Sequence, residues 1–294
     1  MLFQRLLTAV VGIPILVGSI ILGSPWITVI LLIAGVAAIW ELYRMPPGSV
    51  PHLPFMLGAA WVLALLLGAH VASGRDDFLI ISGVIIAAGS FFSLLWFIAY
   101  YRPEQSDEKK SYLVGFAYLI LSPIYVGFLL SHALMIREIS LPEIADTRLT
   151  EIGVSWLLFA LLSTFAVDTG AYIVGRSIGK RPIAPSISPN KTWEGSVGGW
   201  VSALVAAVAL GQLLELNINV WLQIVIGAVV GVVAQWGDLL ASKLKRITGV
   251  KDTGSIIPGH GGMLDRLDSL LFTLPAVYYL IVTVFVPSFT NIGL

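Results

Sequence analysis

The stretch that decides the fold is residues 220–241, VWLQIVIGAVVGVVAQWGDLLA, an apolar run whose single charge is Asp238. A helix needs about 20 apolar residues to cross the hydrocarbon core of a bilayer, so this run predicts a transmembrane helix with a carboxylate near one end. The whole chain shares this character, because 57% of its 294 residues are hydrophobic and only 12% are charged. Soluble domains carry about 25% charged residues, and disordered chains are still more polar. Both classes are therefore excluded.

Further apolar runs of this kind predict an all-α polytopic membrane protein with about nine transmembrane helices. The runs are continuous, whereas a β-barrel would show short alternating segments. The predicted spans are residues 6–23, 26–44, 54–72, 78–101, 112–136, 153–175, 195–215, 220–241 and 267–287. They predict an N-terminal region, residues 1–150, with about five lipid-facing, structural helices. Residues 151–294 are predicted to form a catalytic region of about four helices, with cytoplasmic loops at 176–194 and 242–266.

The distribution of Lys and Arg predicts the orientation of the helices. If the N-terminus is cytoplasmic and the C-terminus lies outside, 14 of the 17 basic residues fall on the cytoplasmic side, as the positive-inside rule requires. Ten of the 17 acidic residues fall on the same side, several of them at helix ends. The charges balance, which gives no indication of nucleic-acid binding. The chain has no cysteine, which excludes disulfides, thiolate metal sites and a cysteine nucleophile.

The densest polar stretch is residues 242–268, SKLKRITGVKDTGSIIPGHGGMLDRLD, a long loop of the kind that is often functional. Asp265 and Asp268 are three residues apart, so on one helix they would share a face in its first turn. They are either ordinary charges at a helix N-terminus or part of a site. Asp238 favours the interpretation that they are part of a site, since carboxylates from separate helices form a hard oxygen site suited to Mg²⁺. Carboxylates for a metal beside Lys and Arg for phosphate are typical of phosphoryl or nucleotidyl transfer.

A second polar cluster, residues 188–195, SPNKTWEG, precedes the seventh predicted span. Ser188, Lys191 and Thr192 at a helix N-terminus would form an anion-binding site. The alternative is an ordinary helix cap, with Thr192 as the N-cap and Glu194 favouring the helix dipole. The sequence leaves both interpretations open.

A third cluster lies on the sixth predicted helix, where Asp168, Tyr172 and Arg176 are spaced by four residues. This spacing predicts one polar stripe along the helix. The stripe would either line a site or form hydrogen bonds to a neighbouring helix. Gly170 and Gly175 would allow that neighbour to pack closely.

The loop matches the pattern S-x-apolar-K-R-x4-K-D-x-small-x2-apolar-P-x-H-G-G-apolar-x-D-R-apolar-D. The matching residues are Ser242, Lys245, Arg246, Lys251, Asp252, Gly254, Pro258, His260, Gly261, Gly262, Asp265, Arg266 and Asp268. This stretch resembles the signature of the phosphatidate cytidylyltransferases, also called CDP-diacylglycerol synthases. The S-P-N-K-T-x-E-G and D-x-x-A-Y-x-x-G-R-x-x-G stretches are similar to that family as well.

The resemblance implies an integral enzyme of the bacterial cytoplasmic (inner) membrane, a homodimer with nine helices. It would join CTP to phosphatidic acid, giving CDP-diacylglycerol and pyrophosphate for phospholipid biosynthesis. Mg²⁺, with a second cation such as K⁺, is the implied cofactor. Asp238 and Asp265 would be metal ligands, and Asp268 and Lys245 would be further catalytic residues. The candidate substrate-binding residues are Ser188, Lys191, Thr192, Arg246, Lys251, Asp252, His260, Arg266, Asp168, Tyr172 and Arg176.

Two alternatives remain from the sequence. A CTP-dependent transferase that acts on a prenyl-type lipid phosphate would need the same headgroup chemistry, since the apolar helices give no indication of the lipid tail. A transporter would place its charges near the membrane midplane, whereas here they gather at one face.

Overall fold

The computed structural model describes residues 2–45, 53–100, 108–139, 151–259 and 261–285, and most of these residues lie in helices. The helices in these ranges are α1 (Leu2–Leu22), α2 (Trp26–Arg44), α3 (Phe55–Val71), α4 (Arg75–Tyr100), α5 (Glu108–Pro123), α6 (Leu129–Arg137), α7 (Ile152–Ile178), α8 (Trp193–Leu213), α9 (Val220–Ile247), α10 (Leu264–Leu267) and α11 (Leu270–Leu280). π-helical turns follow α5 (Ile124–Phe128) and α11 (Ile281–Phe285), and two strands, β1 (Pro182–Ala184) and β2 (Ser188–Thr192), precede α8.

Within the described ranges, seven helices are long and apolar enough to cross a membrane, which confirms the prediction of a helical polytopic membrane protein. They are Trp26–Arg44, Arg75–Tyr100, Tyr112–Arg137, Ile152–Ile178, Trp193–Leu213, Val220–Ile247 and Leu264–Val284. Two shorter apolar helices, Leu6–Leu22 and Phe55–Val71, coincide with the first and third predicted spans. The total of nine spans stays a prediction.

One compact unit consists of residues 1–135 together with 245–267. Its core is built around α3, whose Val62, Leu65 and Leu66 side chains are fully buried. Helix α3 packs against α2 and α4, and α2 also contacts the short helix α10. As a result, the C-terminal end of α2 lies beside the loop that the sequence singles out.

The other compact unit consists of residues 136–244 together with 268–294. Helices α7 and α8 pack along much of their length, because small residues let the two backbones approach. A Cβ atom on Gly199 would lie 2.8 Å from the Val167 carbonyl oxygen, and one on Gly195 would lie 2.8 Å from that of Ala171. Close packing at Gly170, predicted from the sequence, is also present, since a Cβ there would clash with the Ser202 side chain.

The predicted loop 176–194 contains an antiparallel hairpin that the sequence did not predict. Strands β1 and β2 pair Pro182 with Thr192 and Ala184 with Ser188. The amide of Trp193 donates to the Arg181 carbonyl oxygen at 2.9 Å, which closes the hairpin directly onto the start of α8. The hairpin therefore fixes where the residues before α8 point.

The structure corrects the prediction for residues 242–268 in two places. Helix α9 continues to Ile247, so the first residues of the predicted loop are helical. Asp265 lies in the four-residue helix α10, whereas Asp268 lies in the turn before α11. The three-residue spacing suggested that the two carboxylates lie in the first turn of one common helix, and the structure shows that they do not.

Candidate active site

A cavity of about 540 Å³ lies between α7, α8, α9 and the hairpin. We call it the polar cavity. Its polar and charged lining residues are Asp168, Tyr172, Arg176, Asn190, Lys191, Thr192, Ser196, Gln235 and Asp238. Residues from two of the three sequence clusters thus meet in one place, together with Asp238 of the apolar run.

Lys191 and Asp238 form an ion pair in the wall of this cavity, with 2.5 Å between Lys191 Nζ and Asp238 Oδ2. Both side chains are about 30% exposed, but Lys191 Nζ itself is buried against the carboxylate, so a molecule in the cavity meets the Asp238 side chain and the stem of the lysine. The Ser242 hydroxyl donates to Asp238 Oδ1 at 3.4 Å, one turn further along α9. The cavity therefore presents a cation suited to phosphate and a carboxylate suited to a hard metal ion side by side.

Asp168, Tyr172 and Arg176 lie on one face of α7, as predicted, and that face lines the polar cavity. The Arg176 guanidinium donates to the Tyr172 hydroxyl at 2.7 Å, and both side chains are exposed. This placement favours the interpretation of the stripe as part of a site.

The residues that follow Lys191 hold the hairpin in place. The Thr192 side chain accepts a hydrogen bond from the Gly195 amide at 3.1 Å, so it is the N-cap of α8, as one of the two interpretations left open by the sequence has it. The Glu194 carboxylate accepts from the amides of Lys180 and Arg181 at 3.0 and 3.2 Å. Capping and anion binding are compatible here, because Thr192 also lines the cavity.

Gln235 is a cavity residue whose role the sequence did not reveal. Its side-chain amide donates to the carbonyl oxygens of Ser196 at 3.1 Å and Gly231 at 2.7 Å, and its Oε1 accepts from the Ser196 hydroxyl. These bonds join α8 to α9 and fix the two helices that border the cavity. A polar side chain within an apolar run, three residues before Asp238, was the available signal.

A second group of polar residues lies within the unit formed by residues 1–135 and 245–267. Asp265 Oδ1 accepts from Lys245 Nζ at 2.7 Å, and its Oδ2 accepts from the amides of Thr253 and Gly262 at 3.0 and 3.2 Å. The two charged side chains are 13% and 9% exposed. Gly261, with φ +85°, provides the left-handed backbone that precedes the Gly262 amide. We call Lys245, Thr253, Gly262 and Asp265 the loop cluster.

Glu41 is the second residue that the sequence did not single out. It lies near the C-terminal end of α2, is only 2% exposed, and contacts the segment that carries the loop cluster. The interpretation of residues 1–150 as structural assigned it no role. The available signal was a carboxylate within an apolar run whose one other charge is the terminal Arg44, since a carboxylate is costly in a membrane helix.

The remaining predicted residues have less specific surroundings. Arg246, Lys251, Asp252 and Arg266 are exposed, and Arg246 donates to the Val250 carbonyl oxygen at 3.3 Å. Ser188 begins β2 and is not part of the cavity lining, whereas Asp268 Oδ1 accepts from the Ser269 amide at 2.7 Å. His260 lies outside the described residues.

Among the residues that the structure describes, no three His, Cys, Asp or Glu side chains form a group that could hold a metal ion. Mg²⁺ does not require such a group, because it usually retains water and binds through one or two carboxylates plus substrate phosphates. Asp238 meets this requirement, since it is accessible in the cavity and has a hydroxyl beside it. The donor atoms thus fit a Mg²⁺ ion that arrives with a phosphorylated substrate.

Membrane-length helices around a cavity with both signs of charge define a helical membrane protein with a polar, charged cavity. Comparison with known proteins makes this class specific. The chain belongs to the cytidylyltransferase family, whose model matches residues 3–284, and it is accordingly a nucleotidyltransferase enzyme.

Proteins from several bacteria are similar over almost the whole chain. The phosphatidate cytidylyltransferase of Bacillus subtilis (strain 168) is 34% identical over 278 residues, which is 95% of this chain and 97% of the relative. Proteins of the same name from Staphylococcus saprophyticus and Staphylococcus aureus (strain COL) are 32% and 31% identical, covering 95% of this chain and 99% and 98% of their own lengths. The resemblance inferred from the three motifs is confirmed, and it extends into the first 150 residues.

Proposed function

We propose that this protein catalyses the reaction of CTP with phosphatidic acid to give CDP-diacylglycerol and pyrophosphate, as part of phospholipid biosynthesis. The observation that carries the proposal is the Lys191–Asp238 pair in a cavity between membrane-length helices. The proposal is supported by the family and by relatives that are named phosphatidate cytidylyltransferases.

The reaction suits the side chains available. A phosphate monoester is already an oxyanion at neutral pH, so no strong general base is needed. One of its oxygens attacks the α-phosphorus of CTP, the bond to the bridging oxygen of pyrophosphate breaks, and CMP is thereby joined to the lipid phosphate. The catalytic task is to hold two anionic reactants together and to offset the charge that develops on the leaving group.

Within the polar cavity, Lys191 and Arg176 would bind phosphate oxygens, with Thr192 as a neutral donor beside them. Tyr172 would orient the guanidinium, and Asp168 completes the polar face. In the loop cluster, Lys245 would hold the carboxylate of Asp265 in place. The exposed residues Arg246, Lys251, Asp252 and Arg266, together with Ser188, Asp268 and His260, remain candidates for substrate binding or catalysis from the sequence motifs.

Asp238 and Asp265 are proposed to hold Mg²⁺, with a second cation such as K⁺ as a further expectation. When bound, Mg²⁺ would neutralise charge on the phosphates that Lys191 and Arg176 also contact. Because Asp238 is accessible and paired with a flexible lysine, its carboxylate can exchange Lys191 for a metal ion without a change of backbone.

The membrane arrangement is part of the proposal. We propose nine spans with a cytoplasmic N-terminus, an external C-terminus and an active site at the cytoplasmic helix ends, in a homodimer of the bacterial inner membrane. CTP would then enter from the cytosol, and phosphatidic acid from the leaflet. The support is the count of 14 of 17 basic residues on one predicted side.

The test is a turnover assay with purified protein in lipid nanodiscs, supplied with CTP, Mg²⁺ and one lipid phosphate at a time. Phosphatidic acid should give CDP-diacylglycerol, whereas a prenyl phosphate should give little product. Turnover with the prenyl phosphate alone would reassign the lipid, and no product with any lipid would overturn the proposal.

A further inference from the structure

Glu41 is a buried carboxylate that accepts three hydrogen bonds from a segment more than 200 positions later in the chain. Oε1 accepts from the Met263 amide at 2.9 Å, and Oε2 accepts from the Leu264 amide and the Thr253 hydroxyl, both at 2.9 Å. The two amides lie at the start of α10, where backbone N–H groups lack partners within the helix. Glu41 therefore supplies from α2 the cap that this short helix needs.

The same segment also donates to Asp265. The Thr253 hydroxyl donates to Glu41, and the Thr253 amide donates to Asp265. Likewise, the Met263 amide donates to Glu41, and the adjacent Gly262 amide donates to Asp265. The pair Glu41 and Asp265 thus holds Thr253 on one side of this segment and residues 262–264 on the other. Glu41 thus binds the same stretch of backbone whose amides donate to Asp265.

The loop approaches Glu41 so closely that a Cβ atom at either of two glycines would displace the carboxylate. A Cβ atom on Gly254 would lie 2.6 Å from Glu41 Oε1, and one on Gly262 would lie 2.6 Å from Glu41 Oε2. Both positions belong to the signature pattern of the loop. The contact with Glu41 gives a physical reason for small residues there, which the loop sequence by itself does not.

We infer that Glu41 is a positioning residue, which orders residues 253–264 so that the Asp265 carboxylate is preorganised to bind a divalent cation. The inference rests on the proposed function, in which Asp265 is a metal ligand. Residues that orient a ligand side chain affect metal affinity about 10–100-fold when they are changed. Glu41 would act through the loop and would not contact the substrate.

The experiment compares Glu41→Gln with the wild-type protein in nanodiscs that are supplied with a non-hydrolysable CTP analogue and no lipid substrate, so that substrate phosphates are present and no turnover occurs. Glutamine keeps the shape but offers one acceptor oxygen in place of two, so one of the amides of Met263 and Leu264 loses its partner. Hydrogen–deuterium exchange should become faster in residues 253–264 and stay unchanged in α7 and α8. Binding of Mn²⁺, followed by electron paramagnetic resonance, should weaken about tenfold.

A matched pair at Thr253 keeps the inference testable if Glu41→Gln does not fold. Thr253→Val removes the hydroxyl that donates to Glu41 but keeps the amide that donates to Asp265, whereas Thr253→Ser keeps both donors. Only the valine variant should accelerate exchange and weaken Mn²⁺ binding. Thr164→Val is the control, since it removes another buried hydroxyl, one that bonds only within its own helix.

The outcomes separate this inference from the proposed function. Unchanged exchange in residues 253–264 of the Glu41→Gln and Thr253→Val proteins would overturn the inference, as would lower thermal stability with unaltered Mn²⁺ affinity. The proposed metal role is tested by Asp265→Asn in the same binding assay. If that variant binds Mn²⁺ like the wild type, the metal role of Asp265 fails, even where exchange shows that Glu41 orders the loop.

Discussion

Lys191 Nζ lies 2.5 Å from Asp238 Oδ2, so a hairpin strand and a membrane-length helix each contribute one charge to the same cavity wall. Both side chains are about 30% exposed, which is less than for an ordinary surface ion pair, and Lys191 Nζ itself is buried against Asp238. The hairpin positions the lysine, and the bonds of Gln235 to Ser196 fix α9 against α8. We therefore regard this pair as the centre of the polar cavity that we propose binds phosphate.

Replacing the lysine of this pair should impair the binding of CTP and leave folding intact. Lys191→Met removes the proposed phosphate ligand and leaves Asp238 without its lysine, so we expect kcat/KM for CTP to fall about a hundredfold. Steady-state kinetics with varied CTP would measure this. Lys180→Met is the matched control, because it removes the same charge from the same connection and lies outside the cavity lining. Similar losses in both variants would contradict a specific role for Lys191.

Replacing the carboxylate should abolish turnover without unfolding the protein. Asp238→Asn keeps the size of the side chain but weakens it as a ligand for a hard cation. We expect no measurable CDP-diacylglycerol at saturating Mg²⁺, with a thermal unfolding midpoint close to that of the wild type. Asp76→Asn, at an exposed carboxylate paired only with neighbouring Arg75, should retain full activity. Near-normal turnover by Asp238→Asn would remove this residue from the site.

The Lys245–Asp265 pair should contribute to stability as well as to function. The pair is nearly buried, and removing one partner of a buried pair costs about 3–5 kcal/mol. Lys245→Met should therefore lower the free energy of unfolding by about 3 kcal/mol. Denaturant titration in mixed micelles, with Lys243→Met at an exposed position of the same helix as the control, would measure the difference. A loss below about 1 kcal/mol would indicate a solvated pair.

Close packing of α7 and α8 should make the cavity sensitive to a single methyl group. A Cβ on Gly199 would meet the Val167 carbonyl oxygen at 2.8 Å, so Gly199→Ala should destabilise the protein by about 1–3 kcal/mol and reduce turnover by shifting the cavity walls. Gly83→Ala, in α4, is the control because no heavy atom lies within 4 Å of its Cβ position. Equal stability of the two variants would contradict the close packing.

The predicted orientation can be tested because the chain has no native cysteine. A cysteine in place of the exposed Asp76 should be labelled from outside intact cells by a membrane-impermeant maleimide. One in place of the exposed Ser255 should be labelled only after the membrane is opened. The reverse pattern would overturn the proposed topology.

Local signals predicted much of this molecule. Helical membrane segments follow from long apolar runs, the cap at Thr192 follows from local hydrogen-bonding chemistry, and the stripe of Asp168, Tyr172 and Arg176 follows from helical periodicity. The family assignment came from three motifs in the second half of the chain, and the comparisons confirm it.

Contacts between residues far apart in the sequence could not be predicted, for a physical reason. Nothing local indicates that Lys191 faces Asp238 or that Glu41 caps α10, because those contacts depend on how distant elements pack. The hairpin was missed because its strands are short and its residues polar. The break in the helix between Asp265 and Asp268 was not predicted. Two carboxylates three residues apart give the same sequence pattern whether or not the helix ends between them.

The central claim is that the α-phosphorus of CTP is transferred to the phosphate of phosphatidic acid. The most direct test is to follow a phosphorus label from a known position of CTP into the products. Purified protein in nanodiscs is given phosphatidic acid, Mg²⁺ and CTP labelled either at the α- or at the γ-phosphorus. We predict that the α-label appears in the lipid product and the γ-label in pyrophosphate, and that Asp238→Asn transfers neither. Transfer of the γ-label to lipid, or label in lipid with Asp238→Asn at the wild-type rate, would contradict the account.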